Sequence, residues 1–208
     1  MKKIIWTVVV VILLVIGLFF AFYNNGNNSS TMSTSTAPTS TAALPNTYSS
    51  STLGIAINYP ANYTADENYM YQEMGPGKDI GGVKFTIDPV IAAGTNLSSD
   101  SYVSLEELPN ATTCVASSFL DSGAGVSTTT LTQNGVTYSV ASSTGAGAGN
   151  RYEETVYAIS GSNPCVAVRY YIHYGVLENY PAGSVQAFDE ASLKAQFDTI
   201  RQSLVLAQ

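Results

Sequence analysis

The feature that most constrains this chain is an uncharged apolar run near its N-terminus, Ile4–Tyr23. An α-helix rises about 1.5 Å per residue, so a run of this length spans about 30 Å, the thickness of a bilayer's hydrocarbon core. Trp6 and Tyr23 stand at the two ends, where aromatic rings favour the headgroup region. Lys2 and Lys3 precede the run, and the positive-inside rule keeps them cytoplasmic. The pattern predicts a single-pass signal-anchor in the cell membrane, with the N-terminus cytoplasmic and the remainder extracytoplasmic.

Two other readings of this run remain open. A cleaved signal peptide has a shorter apolar stretch of about 7–15 residues, and Ala21-Phe22-Tyr23 is a poor cleavage site. A type IV pilin would continue its helix into the globular domain, whereas Asn24–Asn28 is rich in residues that end helices. No cysteine lies near the end of the run, so a lipoprotein anchor is not predicted. The membrane helix is the favoured interpretation.

The composition changes twice after the apolar run. Residues 24–47 are dominated by Asn, Ser, Thr and Ala and predict a disordered stalk, because they bury too little apolar surface to offset the entropy of ordering. Residues 48–208 then predict one extracytoplasmic domain with its own core. That domain has six basic and fifteen acidic residues, a net charge of −9. A nucleic-acid partner is therefore not expected, because such binders carry a basic stripe.

Alternating apolar and polar residues predict eight β-strands in the domain. Asn134-Gly135 favours a tight hairpin turn, and Ser160–Pro164 favours a second, longer one. Gly145–Gly149 precedes a strand instead of a helix, so it predicts a flexible loop and no phosphate site. The predicted strands are Leu53–Tyr59, Tyr69–Glu73, Val83–Ile87, Ser101–Leu105, Ser127–Thr132, Val136–Ser142, Asn150–Ile159 and Cys165–Tyr174.

Two helices complete the predicted domain. Thr112–Leu120 predicts a short helix, and Phe188–Leu206 a long one that Asp189 can cap. The long helix carries one apolar stripe, formed by Leu193, Phe197, Ile200 and Leu204. The element order predicts an α+β fold, an antiparallel sheet packed by a long C-terminal helix and a short helix.

Both ends of the domain resemble PsbP/Mog1-like domains. Gly54–Pro60 resembles the "Gly-hydrophobic-x-hydrophobic-x-Tyr-Pro" run that opens their sheet, and Phe197–Leu204 is similar to their closing helix. The middle of the chain matches only in element order. The family shares no catalytic site and includes assembly proteins and membrane-anchored bacterial forms. The resemblance therefore implies a binding or assembly scaffold and assigns no residue a role.

Cys114 and Cys165 are the only cysteines. In an exported domain a lone pair predicts one disulfide. The alternative is a reactive thiol beside His173.

The hairpin Asn150–Tyr174 offers the best candidate for a binding surface. If its turn sets an even register, one face gathers two cations, a carboxylate, a histidine and a tyrosine, with Glu154 on the opposite, apolar side. The alternative is a solvated face held by cross-strand ion pairs. The candidate binding residues are Arg151, Glu153, Arg169, Tyr171 and His173.

Two classes of function fit these observations. The first is a non-catalytic, membrane-anchored domain that binds a cell-envelope protein or a small ligand. The second is a cell-envelope hydrolase using His173, although no Gly-x-Ser-x-Gly motif accompanies this single histidine. Neither a metal site nor a cofactor is predicted, because metal ligation needs about three or four suitable side chains.

Overall fold

A computed structural model describes residues 43–121 and 126–206 of the chain. The apolar run Ile4–Tyr23 and residues 24–42 lie outside this part, so the predicted anchor and most of the predicted stalk are not among the described residues. Within the two described ranges, no helix has the length and apolarity needed to cross a membrane.

The fold is α+β, as predicted, and most of its regular secondary structure is strand. Its strands form two antiparallel sheets instead of one, with orders β1-β2-β10 and β3-β4-β5-β9-β8-β7-β6. The strands are β1 Asn46–Ser50, β2 Ile55–Tyr59, β3 Thr64–Tyr71, β4 Ile80–Thr86, β5 Tyr102–Leu108, β6 Thr129–Gln133, β7 Val136–Gly147, β8 Asn150–Ile159, β9 Cys165–Gly175 and β10 Val205–Leu206. The helices are α1 Pro89–Ala92 and α2 Glu190–Gln202, with 3₁₀ turns at Ala116–Phe119 and Leu177–Asn179.

The small sheet is the main feature that the sequence patterns do not predict. Its first strand begins at Asn46, two residues inside the segment predicted as stalk. Its last strand pairs with β2 across most of the chain, Val205 opposite Ala56. Strands this short carry little alternation of their own. Both pair with β2, and Tyr48 of β1 also packs on the core, whereas Val205 and Leu206 of β10 are exposed.

The closing helix is shorter than the pattern predicts. Asp189 caps it, accepting a hydrogen bond from Ser192 N at 2.9 Å, and the helix ends at Gln202. All four residues of the predicted stripe are buried, including Leu204, which lies beyond the helix end. The seven-stranded sheet receives this stripe on one side, here called the helix face.

The predicted helix Thr112–Leu120 is wrong except for one 3₁₀ turn at Ala116–Phe119. Val115 is extended, and Ala116 N donates to Ser139 Oγ at 3.1 Å, which anchors the turn to β7. Serine, threonine and valine are weak helix formers, so tertiary contacts decide this segment. It covers part of the opposite side of the large sheet, here called the tyrosine face because Tyr69, Tyr71, Tyr102 and Tyr171 lie on it.

The predicted loop Gly145–Gly149 is mostly strand. Residues 145–147 continue β7, and only Ala148 and Gly149 form the turn, with φ of 49° and 81°. A two-residue turn with both φ values positive matches the twist of a hairpin. The strand arms therefore run to the end of the sheet and place Gly145 opposite Tyr152.

The disulfide between Cys114 and Cys165 is confirmed. It joins the segment before the 3₁₀ turn to the start of β9, with Cα atoms 5.0 Å apart. The crosslink holds that segment against the tyrosine face.

Candidate functional site

The register of β8 and β9 differs from the one that the predicted binding face requires. Glu154 lies opposite Tyr171, Val156 opposite Arg169 and Tyr152 opposite His173. Because side chains alternate between the two faces of a sheet, a register that differs by one residue puts the odd positions of β8 on the face opposite to the odd positions of β9. The prediction that the five candidate residues share one face is therefore wrong.

Arg151 and Glu153 lie on the helix face. Glu153 accepts hydrogen bonds from Tyr174 Oη at 2.9 Å and from Lys194 Nζ at 3.0 Å, and so links the sheet to α2. Arg151 is exposed, and its bond is to the carbonyl of Asn150 at 3.2 Å. These two residues do not join the other three.

Arg169, Tyr171 and His173 lie together on the tyrosine face, where Glu154 joins them. Arg169 is completely buried, so this part of the face is neither an open patch nor solvated. Its Nε and Nη2 donate to the two carboxylate oxygens of Glu106, each at 2.8 Å. Nη2 also donates to the carbonyl of Phe119 at 2.7 Å, and Nη1 donates to Glu154.

Charge and burial act in opposite directions on Arg169. Burial lowers the pKa of the guanidinium, but the carboxylates of Glu106 and Glu154 more than offset this and leave the pKa above its ordinary value. The guanidinium carbon lies 3.6 Å from the ring centroid of Tyr71, whose hydroxyl donates to Glu154 at 2.8 Å. These contacts surround the guanidinium group of Arg169, which stays charged.

Glu106 has partners besides Arg169. Its Oε1 accepts from Ser104 Oγ at 2.7 Å and from Tyr69 Oη at 3.3 Å, and the hydroxyls of Tyr69 and Tyr102 lie 2.7 Å apart. Burial, followed by the nearby Glu106 carboxylate, raises the pKa of Tyr69. The tyrosine hydroxyls therefore stay neutral and can donate.

Beside this network the tyrosine face opens into a cavity of about 560 Å³, here called the acidic cavity. Four carboxylates lie in its wall, together with three tyrosine rings and one histidine. The lining residues are Tyr71, Glu73, Asp100, Asp121, Ser143, Thr144, Gly145, Tyr152, Glu154, Tyr171 and His173. The volume lies in the range of small-molecule sites, about 300–1,000 Å³.

The rings of Tyr152, Tyr171 and His173 form one wall of the acidic cavity. Tyr152 stacks on His173 with centroids 4.6 Å apart, and Tyr171 stacks at 4.8 Å on Tyr102, which lies outside the cavity lining. Tyr152 and Tyr171 are tilted neighbours at 6.2 Å. Burial raises the pKa of Tyr171, and Asp100, Glu154 and Glu73 raise it further, which reflects the negative charge around the cavity.

His173 has one of the two partners that a catalytic histidine needs. Its Nδ1 lies 2.9 and 3.0 Å from the carboxylate oxygens of Asp100. Its Nε2 is buried, and in the described part of the chain no group hydrogen-bonds to it. Ser101 contacts only the backbone of His173, accepting from the amide at 3.0 Å and donating to the carbonyl at 3.3 Å. No nucleophile of the described residues is therefore placed to exchange a proton with this imidazole.

Over residues 43–121 and 126–206, no group of three or more His, Cys, Asp or Glu side chains is arranged to hold a metal ion. The carboxylates of the acidic cavity are spread around its wall instead of converging on one point.

Sequence reasoning missed Glu154, Glu106, Tyr71, Tyr152 and Asp100. One signal was available for Glu154, since a charge at a position expected to be apolar requires a buried partner. The other four come from separate strands or from the loop before β5 and meet only through sheet pairing.

No protein-family model matches the chain, and no curated protein matches it. Among solved structures it is similar to a crystal structure from Bacteroides thetaiotaomicron VPI-5482 at 1.50 Å resolution, with 10% identity and a TM-score of 0.42. The alignment covers 80% of this chain and 50% of that one, so the chain spans about half the length of that structure. A similarity of this size carries no argument, and the resemblance to PsbP/Mog1-like domains stays a prediction.

Proposed function

We propose that this protein is a non-catalytic ligand-binding domain whose binding site is the acidic cavity. The observation that carries the proposal is the construction of the cavity on rigid strands. Its wall residues Tyr152, Glu154, Tyr171 and His173 stand on two central strands of the large sheet, and the buried contacts of Arg169 fix Glu154 from below. Recognition sites gain affinity when their side chains are held in place before the ligand arrives.

We also propose where the protein is located: Ile4–Tyr23 anchors the chain in the cell membrane, and the domain lies outside the cytoplasm. The Cys114–Cys165 disulfide supports an oxidising compartment, since such bonds are rare in the cytosol. Protease added to intact spheroplasts should release the domain by cutting in residues 24–42. A domain that resists the protease until lysis would contradict the orientation.

A cell-envelope hydrolase is the second candidate. One observation favours it, the pairing of His173 with the Asp100 carboxylate beside the cavity. Such a pair orients an imidazole in hydrolases, yet it needs a nucleophile on the other ring nitrogen. The binding proposal is preferred because it requires no further group.

Two matched variants test the binding proposal. At Gly145 an added Cβ would meet Tyr152 at 3.7 Å, an ordinary contact, so Gly145→Leu adds a bulky side chain to the cavity wall without a backbone clash. At Gly147, on the same strand and outside the cavity lining, an added Cβ meets nothing within 4 Å. Gly147→Leu is therefore the control for the same change on the same strand.

The measurement is a thermal-shift screen of the purified full-length protein against sugars, amino acids, polyamines, choline derivatives and short peptides. We expect a compound that raises the melting temperature of the wild type and of Gly147→Leu, leaves Gly145→Leu unchanged and is recovered intact. A compound that stabilises Gly145→Leu equally would contradict the site. Conversion of the compound to a product, lost in His173→Ala, would favour the hydrolase.

A further inference from the structure

We propose that the acidic cavity recognises an organic ammonium group, either on a free small molecule or on a lysine side chain of a peptide. This inference rests on the proposed function and names the ligand class of the same site.

The buried charges of Glu106, Glu154 and Arg169 do not balance. Two carboxylates, Glu106 and Glu154, share the single guanidinium of Arg169. Glu106 takes both ends of that guanidinium and is completely buried, so it matches the positive charge by itself. The cluster is left with one negative charge more than it has positive charges.

The excess negative charge belongs to Glu154, at the wall of the acidic cavity. Only 14% of the Glu154 side chain is exposed, and the part that is exposed lines the acidic cavity. Tyr71 and Arg169 both bond to its Oε2, and Oε1 has no hydrogen-bond donor among the described residues. A carboxylate largely removed from water costs free energy unless a cation or donor compensates it. A ligand cation in the cavity would supply that compensation.

Aromatic rings line the cavity beside this carboxylate. Tyrosine ring faces attract cations, most strongly where water is excluded. The tyrosine face already holds two of the protein's own cations in this way, Arg169 over Tyr71 and Lys84 over Tyr69 and Tyr102 at 5.2 and 5.5 Å. In the cavity, Tyr152 and Tyr171 line the wall next to Glu154, each with one ring face taken by a stacking partner, His173 and Tyr102 respectively.

The lining also selects against other ligands. Anions would meet Glu73, Asp100, Asp121 and Glu154. A bare metal ion prefers converging oxygen or nitrogen ligands, whereas aromatic walls suit a cation that carries methyl or methylene groups. An organic ammonium group satisfies both the carboxylates and the rings.

Calorimetry on the full-length protein tests this with two matched pairs of probes. Choline is compared with its neutral isostere, 3,3-dimethylbutan-1-ol, and Nα-acetyl-lysine amide, which keeps its side-chain ammonium, with Nα-acetyl-norleucine amide. We expect the cation of at least one pair to bind at least about tenfold more tightly than its neutral partner, with affinity falling as salt rises. The pair that responds distinguishes a free ammonium ligand from a lysine side chain.

Variants locate the effect. Glu154→Gln keeps an acceptor for Tyr71 and Arg169 but removes the charge, so the affinity for the cation should fall about tenfold or more. The control is Glu178→Gln, at an exposed position outside the cavity, which should leave that affinity unchanged. Glu73→Gln, at an exposed wall position, should weaken it less and guards against a folding defect in Glu154→Gln. Equal binding of cation and neutral probe, or unchanged binding in both wall variants, would overturn the ammonium inference. The Gly145→Leu screen would then still decide whether the cavity binds any ligand.

Discussion

At Arg169, one guanidinium meets two carboxylates, a backbone carbonyl and the ring of Tyr71, all within the sheet and the segment that covers it. A buried ion pair of this kind contributes less to stability than its contacts suggest, because both partners lose their hydration. Removal of one partner is destabilising, however, because the remaining charges stay buried without a partner. The residue therefore acts as an organiser of Glu154 and of the cavity floor.

The first prediction compares two arginines that the sequence pattern treated alike. Arg169→Met leaves Glu106 and Glu154 buried and facing each other, so the free energy of unfolding should fall by about 3–5 kcal/mol. Arg151→Met removes an exposed side chain and should change it by less than about 0.5 kcal/mol. Urea unfolding of the full-length protein measures both. Similar losses for the two variants would mean that the Arg169 cluster is not buried as described.

The tyrosine hydroxyls of the same cluster give a pH dependence. Burial raises the pKa of Tyr69, Tyr71 and Tyr102 above the ordinary value of 10.0. Above pH of about 10 the unfolded chain releases protons that the folded protein retains, so stability is fully present below that pH and is lost as pH rises towards the folded values. Each group adds a slope of at most about 1.4 kcal/mol per pH unit.

Unfolding measured between about pH 8 and pH 11 checks this second prediction. Stability should fall across the alkaline part of the range, and Tyr102→Phe, which keeps the ring, should make the fall shallower. A variant with the wild-type slope would show that Tyr102 titrates normally in the folded protein.

At the scale of secondary-structure elements, the sequence was sufficient to predict turns and helix caps, because their conformation depends on a few neighbouring residues. Asn134-Gly135 forms its hairpin turn, with positive φ at both residues, and Asp189 caps the closing helix. The register of β8 and β9 could not be predicted from the turn between them, because that turn is longer and allows more than one register. The register depends instead on which side chains find partners across the sheet. The burial of Arg169 beside Glu106 is one of these cross-sheet contacts.

The third prediction tests the packing of the closing helix. Phe197 is completely buried on the helix face, where its ring meets Tyr170 with centroids 5.4 Å apart. Phe197→Ala should lower the free energy of unfolding by about 3–5 kcal/mol, with a marked drop in melting temperature. Gln202→Ala, exposed at the last turn, should melt close to the wild type. Equal melting of the two variants would contradict this packing.

At the scale of the whole molecule, the two faces of the large sheet differ in what they carry. The helix face carries the core formed with α2 and the small sheet, and the tyrosine face combines a smaller core with the charged cluster and the cavity. The order of the predicted elements indicated the α+β class, although with one sheet instead of two, and the lone cysteine pair indicated the disulfide. The sequence patterns could not predict the cavity, since Tyr71, Asp100, Glu154 and His173 come from distant parts of the chain.

The most direct test is a pair of NMR titrations of the full-length protein, one with choline and one with Nα-acetyl-lysine amide, following the tyrosine ring resonances. Tyr152 and Tyr171 line the acidic cavity, whereas Tyr63 is buried in the other core. With at least one of the two probes we predict saturable shifts for Tyr152 and Tyr171 in the wild type, no shift for Tyr63, and loss of the response in Glu154→Gln. Shifts centred on Tyr63, or no saturable shift at Tyr152 and Tyr171 with either probe, would contradict the assignment of the cavity as an ammonium site.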